Sequence, residues 1–507
     1  VSEQTIEAPR SEAPPPPRDR PPASRFPLGG ARSYVLVAVG VAVLLGVSLA
    51  LIVWAKTRPG YDPYGWMVWG YQTLHGSLDL GGAPSWKPLP YVFDVPYALF
   101  GHYQLWLWMT SSVAVSLAGC LFAGRIAYRL TRNYAVDSDR WPALAAGVFA
   151  GAALLGLQSY MHYILSVQSD TMITTLGLAA IDAYISGHPK LAFVVGCVAG
   201  LGRPEVWSTL APATVWLWFK RPSMRLLLVG GWIVVLGFWF GVPTVTNNRP
   251  FLAEQLALKS PRELHQNKII GTIHRFTALT WLPVQLGALV ALAMAWWRRN
   301  WTVLLLGLSA VTWVVVEIIL VLRGLPGVPR YLFEPAAIET SLAGAALGWI
   351  LIEIRRASVA RAIRAVGALA ALALVVPMVP AALARVRDER SDLKHERLRT
   401  TIINRLSGTI NAVGGYKRVR ACGHPVTNVE YVSILAWYTH LNVGKVGYLP
   451  QRELKKPYPI VLFTQLHSGW QANVYHEKGA AKAACASMNA RWLYTRRHPR
   501  GVLVPLR

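Results

Sequence analysis

The residues best suited to chemistry in this 507-residue chain cluster between positions 61 and 90. Tyr61-Asp62-Pro63-Tyr64-Gly65-Trp66 sets one carboxylate among aromatic rings, and Trp69 and Tyr71 follow closely. Ser85-Trp86-Lys87-Pro88-Leu89-Pro90 then adds a cation inside a Pro-rich turn. A carboxylate walled by rings is placed to take a proton from an attacking hydroxyl, and a nearby lysine can answer an anion. Trp and Tyr also gather at membrane–water boundaries whatever the function, and on composition alone that plainer reading is the stronger. Further along, charged residues appear where hydrophobic runs begin or break. These are Ser169-Asp170, Gly202-Arg203-Pro204-Glu205, the group Lys268, His274 and Arg275, and Pro329-Arg330-Tyr331-Leu332.

The elements that must position them are membrane helices. Hydrophobic residues make up 53% of the chain and charged ones 15%, against about a quarter in soluble domains. The net charge of +26 would suggest nucleic acid in a soluble protein, but the apolar runs are long enough to span a bilayer. The first such run, 33–55, follows a Pro- and Arg-rich head (1–32) that cannot bury enough surface to fold and is expected to be a disordered tail. Further runs lie at 105–124, 141–157, 171–185, 226–244, 278–297, 301–322, 331–354 and 366–383. Leu191 to Phe219 is basic at both ends and carries Arg203 and Glu205 midway. Two short helices meeting at the Gly-Arg-Pro-Glu turn fit the charge pattern better than one span.

The count is then about eleven transmembrane helices, and the basic connections at 125–140, 298–299 and 355–364 all fall on one side. The positive-inside rule makes that side cytoplasmic and places the N-terminus there too. The C-terminal part, 386–507, then faces outward. It alternates helical stretches (392–410 and 429–441) with short apolar runs (418–422, 460–464 and 501–506), as expected of a small α/β domain. Cys120 and Cys197 read as packing residues in apolar spans. Cys422 and Cys485 lie in the outward part, where their pairing is the only local option for a disulfide.

An acid just after the first span, then amphipathic segments and a Pro-rich turn before the second, resembles the GT-C superfamily of integral-membrane glycosyltransferases. The resemblance spans residues 33–385 and rests on Asp62, on Lys87-Pro88-Leu89-Pro90, and on the ordered series at 169–170, 202–205 and 329–332. Many members carry two adjacent acids where this chain has Tyr61-Asp62. A second carboxylate would come from Asp79, Asp94 or Asp170. The resemblance implies a GT-C-like module in a bacterial plasma membrane, with the C-terminal domain extracytoplasmic.

It also implies transfer of a pentose or hexose, with mannose and arabinofuranose among the candidates. The sugar moves from a polyprenyl-phosphate carrier to a glycolipid, cell-wall glycan or protein on the outer face. Asp62 is the expected general base of an inverting single displacement. Arg330 is the first candidate for the donor phosphate, followed by Arg203, Lys87, Lys268 and Arg275. Tyr61, Trp66, Trp86, Asp170, Glu205 and Tyr331 are the expected substrate-binding residues. No cofactor is required by these residues. A divalent cation is the candidate, although no tight acidic cluster is visible.

Plainer readings accompany each. Arg330 could snorkel at a helix end, Arg203 and Glu205 could be an ion pair bracing the hairpin, and Asp170 could cap a helix. Glu317, inside a span, needs a cavity or a partner. His162 and His274 lack metal-ligand spacing and read as structural. Two other functions compete: a lipid-linked saccharide transporter or flippase, expected to show inverted repeats, and a non-catalytic scaffold with an outward binding domain. The outward part holds 20 Lys/Arg and 7 Asp/Glu from Arg387 onward, a net +13. That charge suits phosphate-bearing lipids or anionic glycans.

Overall fold

The computed structural model describes residues 31–82, 86–135, 139–258, 264, 267–356, 361–467, 469–476, 484–493 and 501–506. The Pro-rich head up to residue 30 and Ser85 lie outside the described residues. The expected spans fall mostly in helices, but 278–297 is helical only from Leu282, and 366–383 is split by a turn at 376–377. Among the described residues, six helices are long and apolar enough to cross a membrane, or seven if the pair Lys268–Thr277 and Leu282–Trp297, bent by 95°, is one broken span. The chain is a multi-pass membrane protein.

Small residues set the centre of the helical module. Helices Gln104–Tyr134, Trp141–Leu155 and Phe333–Arg355 pack together through Ala127, Ala146, Ala150 and Gly344, all buried. A Cβ at Gly344 would stand 2.6 Å from the Ala146 carbonyl oxygen, so only glycine permits this approach. The first helix, Ala31–Ala55, is apolar all round and largely exposed, as a lipid-facing span should be. The charged connections meet at one end of the bundle. There Glu353 accepts from Tyr134, Arg298 and Arg356, and Asp182 from Arg125 and Arg129.

The first loop folds into two buried helices, Tyr61–Leu74 and Pro88–Ala98, which cross where Gly70 meets the Asp94 backbone. Leu191 to Phe219 forms two helices, Pro189–Gly200 and Trp207–Lys220. A short 3-10 turn, Pro204–Val206, joins them. A six-residue helix, Tyr160–Leu165, lies between residue positions of strained backbone, with positive φ at Ser159 and Val167.

The C-terminal part differs from expectation in two places. Met378–Ala412 is one 35-residue helix that runs straight through position 386, so the last span and the C-terminal domain share a rigid stalk. Residues 418–422, read from the sequence as an apolar run of strand type, belong to helix Gly415–Cys422. Val419 and Cys422, one turn apart, are its buried side, and that period suits a helix. The domain's sheet has five strands in sequential order: β1 (His424–Val426), β2 (Ile460–Leu466), β3 (Gly469–Tyr475), β4 (Ala490–Leu493) and β5 (Val502–Pro505). β1 and β2 are parallel and the others antiparallel, with Val461 opposite Val474 and Trp470 opposite Trp492. Cys422 and Cys485 form a disulfide between the first domain helix and the segment before β4.

Candidate active site

Five chain segments deliver charged side chains to one place. Asp62 sits in the first turn of Tyr61–Leu74, and Lys87 directly precedes Pro88–Ala98. Asp170 opens helix Ser169–Ile185, Arg203 precedes the hairpin turn, and Arg330 lies in the 3-10 turn Pro329–Leu332. Every one occupies a helix start or a break, where side chains can project beyond the packed spans.

Asp170 is the hub. Its side chain is 1% exposed and meets three cations: Oδ1 accepts from Arg203 at 2.8 Å and lies 3.5 Å from Lys87 Nζ, and Oδ2 is 3.4 Å from Arg330 Nε. Arg330 also reaches Asp62, with 3.8 Å between Nη2 and Oδ2. Arg203 is held further by Glu205 at 2.8 Å and Glu317 at 3.6 Å, and its guanidinium lies 3.5 Å from the centre of the Tyr331 ring. Glu317, buried within the span Trp301–Leu322, finds its partner here. Arg330 faces the rings of Tyr163 and Tyr331, and Lys87 faces Trp66 and hydrogen-bonds to Ser169. Burial pushes the Lys87 ammonium below its usual range, with Arg203 and Arg330 adding to the effect and Asp170 opposing it.

On the Lys87–Arg330 side two cations thus share one buried carboxylate, Asp170, and one accessible one, Asp62. Asp62 is the most accessible acid of the group, 24% exposed against 1% for Asp170. An accessible carboxylate beside a guanidinium and an ammonium can hold a nucleophile's proton next to a bound phosphate.

The other expected residues take different places. Trp86 is fully buried, donates to the Phe238 carbonyl oxygen and packs against Trp69 and Tyr91, so it braces the first loop. Tyr61 lies beside Ser433 of the C-terminal domain, and burial lifts its hydroxyl to about 12. Arg275 donates to the Gly327 carbonyl oxygen, steadying the segment that leads to Arg330, and Lys268 opens helix Lys268–Thr277.

Among the candidate second acids, only Asp170 joins the site. Asp79 accepts from Asn247 and Gly81, and Asp94 is wholly buried in the first loop. Tyr163 had no signal of its own in the sequence, because nothing local marks which side of a short helix faces Arg330, whereas Ser169 was legible only as the neighbour of Asp170. A divalent ion beside Asp62 would meet Arg330 first and Lys87 close behind, an unfavourable donor set for a cation. Among the described residues, the one group of converging metal-type ligands is His162, Asp392 and Glu396.

No family model and no curated protein matches the chain. Its structure is similar to that of ArnT from Cupriavidus metallidurans in the apo state. The TM-score is 0.51 at 17% identity, covering 86% of this chain and 93% of that one. The chain shares the fold of that structure. A second ArnT structure, bound to undecaprenyl phosphate, aligns with a TM-score of 0.47 at 16% identity, over 94% of this chain and 98% of that one. The helical module carries all five segments of the charged site, and the C-terminal domain contributes none of them.

Proposed function

We propose that the protein is a membrane glycosyltransferase that moves a pentose or hexose from a polyprenyl-phosphate carrier to a glycan, glycolipid or protein acceptor at the outer face. One observation carries this reading: an accessible carboxylate, Asp62, stands 3.8 Å from Arg330 within a cluster that also brings in Lys87 and Arg203. The fold shared with ArnT supports it.

In this reading the donor phosphate lies against Arg330 and Lys87, and the anomeric carbon lies between it and the acceptor hydroxyl. Asp62 takes the hydroxyl proton as the oxygen bonds to the anomeric carbon. The carbon–oxygen bond to phosphate breaks on the opposite face, and configuration inverts. Negative charge grows on the leaving phosphate, where the fixed guanidinium and ammonium stabilise it without reorganisation. Arg203, committed to Asp170, Glu205 and Glu317, holds the cradle together. The net +13 of the outward part draws anionic acceptors or lipid headgroups to the same face.

The test is Asp62→Asn in purified protein, assayed with a panel of radiolabelled polyprenyl-phosphate sugars and membrane extracts as acceptor. Loss of a general base lowers turnover by about 100- to 10,000-fold, with binding of undecaprenyl phosphate retained. Wild-type turnover in the variant would remove Asp62 as the base. Movement of lipid-linked sugar across vesicles without transfer would replace the enzyme by a flippase.

A further inference from the structure

The short helix Tyr160–Leu165 presents His162 to the stalk helix, where Asp392 and Glu396 lie one turn apart on one face. His162 Nδ1 is 2.8 Å from Asp392 Oδ2 and 3.8 Å from Glu396 Oε1, and the three ligand atoms lie within 4.8 Å of one another. A single imidazole nitrogen carries one proton and can satisfy one acceptor. At 3.8 Å the Glu396 oxygen is beyond hydrogen-bond range, yet it faces the same nitrogen. The two oxygens of Glu396 divide their work, since Oε2 pairs with Arg399 and Oε1 is left facing His162. The charge of two carboxylates less the Arg399 guanidinium is still negative, while Glu389, one turn earlier on the helix, is offset by Arg385.

From this geometry we infer a divalent metal site formed by His162, Asp392 and Glu396, separate from the Asp62 cluster. One imidazole and two carboxylates form a mixed nitrogen–oxygen set that suits Zn2+, and water would complete a four-coordinate shell. Bonds of about 2.0–2.1 Å in a tetrahedron separate ligand atoms by roughly 3.3–3.4 Å. The two distances from Nδ1 fall on either side of that value, so small side-chain rotations complete the site. Asp392 and His162 are partly exposed, which leaves a path for the ion, while Glu396 is buried.

The position gives the ion a consequence. The stalk helix ties the C-terminal sheet to the first span: Trp470 donates to the Ile402 carbonyl oxygen, Arg397 to that of Ala55, and the Arg58 amide to Thr400. His162 is followed by Tyr163, whose ring faces Arg330. A bound ion therefore staples the stalk to the wall of the charged site.

The experiment uses the full chain carrying no polyhistidine tag, stripped with EDTA in detergent, loaded with Zn2+ and desalted before metal analysis. Wild type is expected to retain about one Zn2+ per chain and to unfold at higher temperature with the ion. Second-shell changes cost 10–100-fold in metal affinity, so His162→Gln and Glu396→Gln, which remove ligands, should retain less than roughly a tenth as much. Equal retention in wild type and variants, or none in wild type, overturns the site. Should the variants not fold, wild type alone decides: Zn2+ should shield His162 from diethylpyrocarbonate, read by peptide mass. Unchanged modification overturns the site.

Discussion

Asp170→Asn separates an electrostatic hub from a helix cap. The amide keeps the carboxylate's shape and can still accept from Arg203, but it removes the negative charge that Lys87, Arg203 and Arg330 share at 3.5, 2.8 and 3.4 Å. Removing one partner of a buried ion pair costs about 3–5 kcal/mol. The lower end applies here, because Glu205 and Glu317 still hold Arg203 and Asp62 still faces Arg330. Lys87 is left worst served. A bound phosphate supplies the missing anion, whereas in wild type it must share these cations with Asp170. The assay is thermal unfolding of purified protein in detergent, with and without undecaprenyl phosphate. The variant should unfold at lower temperature than wild type when alone, and should gain more from the lipid phosphate than wild type does. A simple helix cap would give almost no change in stability, because Asn caps a helix about as well as Asp, and no difference in ligand response. Equal stability, or an equal or smaller gain with ligand, would refute the hub.

Burial depresses Lys87, so its charge is lost as pH rises at a lower pH than for an exposed lysine, and kcat/KM for the donor should fall on the alkaline side accordingly. Lys87→Arg keeps its charge and should move that limb to higher pH; a shared limb in both proteins would exclude Lys87 as its source. Gly70→Ala would place a Cβ 2.5 Å from the Asp94 carbonyl oxygen, which is backbone and cannot swing away. Separating the two first-loop helices should cost about 1–3 kcal/mol and lower transfer, because one helix carries Asp62 and the other follows Lys87. Unfolding temperature and activity should fall together; an unchanged melting curve would show that the helices do not need this approach.

Much of the architecture is legible in the chain because a bilayer allows few solutions. Apolar runs must be helices, and a charged break such as Gly202-Arg203-Pro204-Glu205 must fold back where its backbone can be satisfied. Asp62, Lys87, Asp170, Arg203 and Arg330 could be singled out because each interrupts an oily run or stands at its start. The strand-type reading of 418–422 failed because a five-residue window cannot distinguish a short strand from one buried helical turn. The division near 386 missed the stalk because hydropathy falls there while the helix itself continues.

What the sequence by itself determined is the identity of the membrane helices and the charged residues at their ends, since burial in lipid penalises every unsatisfied polar group. Which of those residues meet was decided by tertiary packing. Trp86 and Lys87 are neighbours in sequence, yet one braces the core and the other faces Asp170. His162 and Asp392 are 230 residues apart and meet only because a short helix packs against the stalk. Local composition sets the cost of burying a charge, and the approach of distant helices decides which partner offsets it.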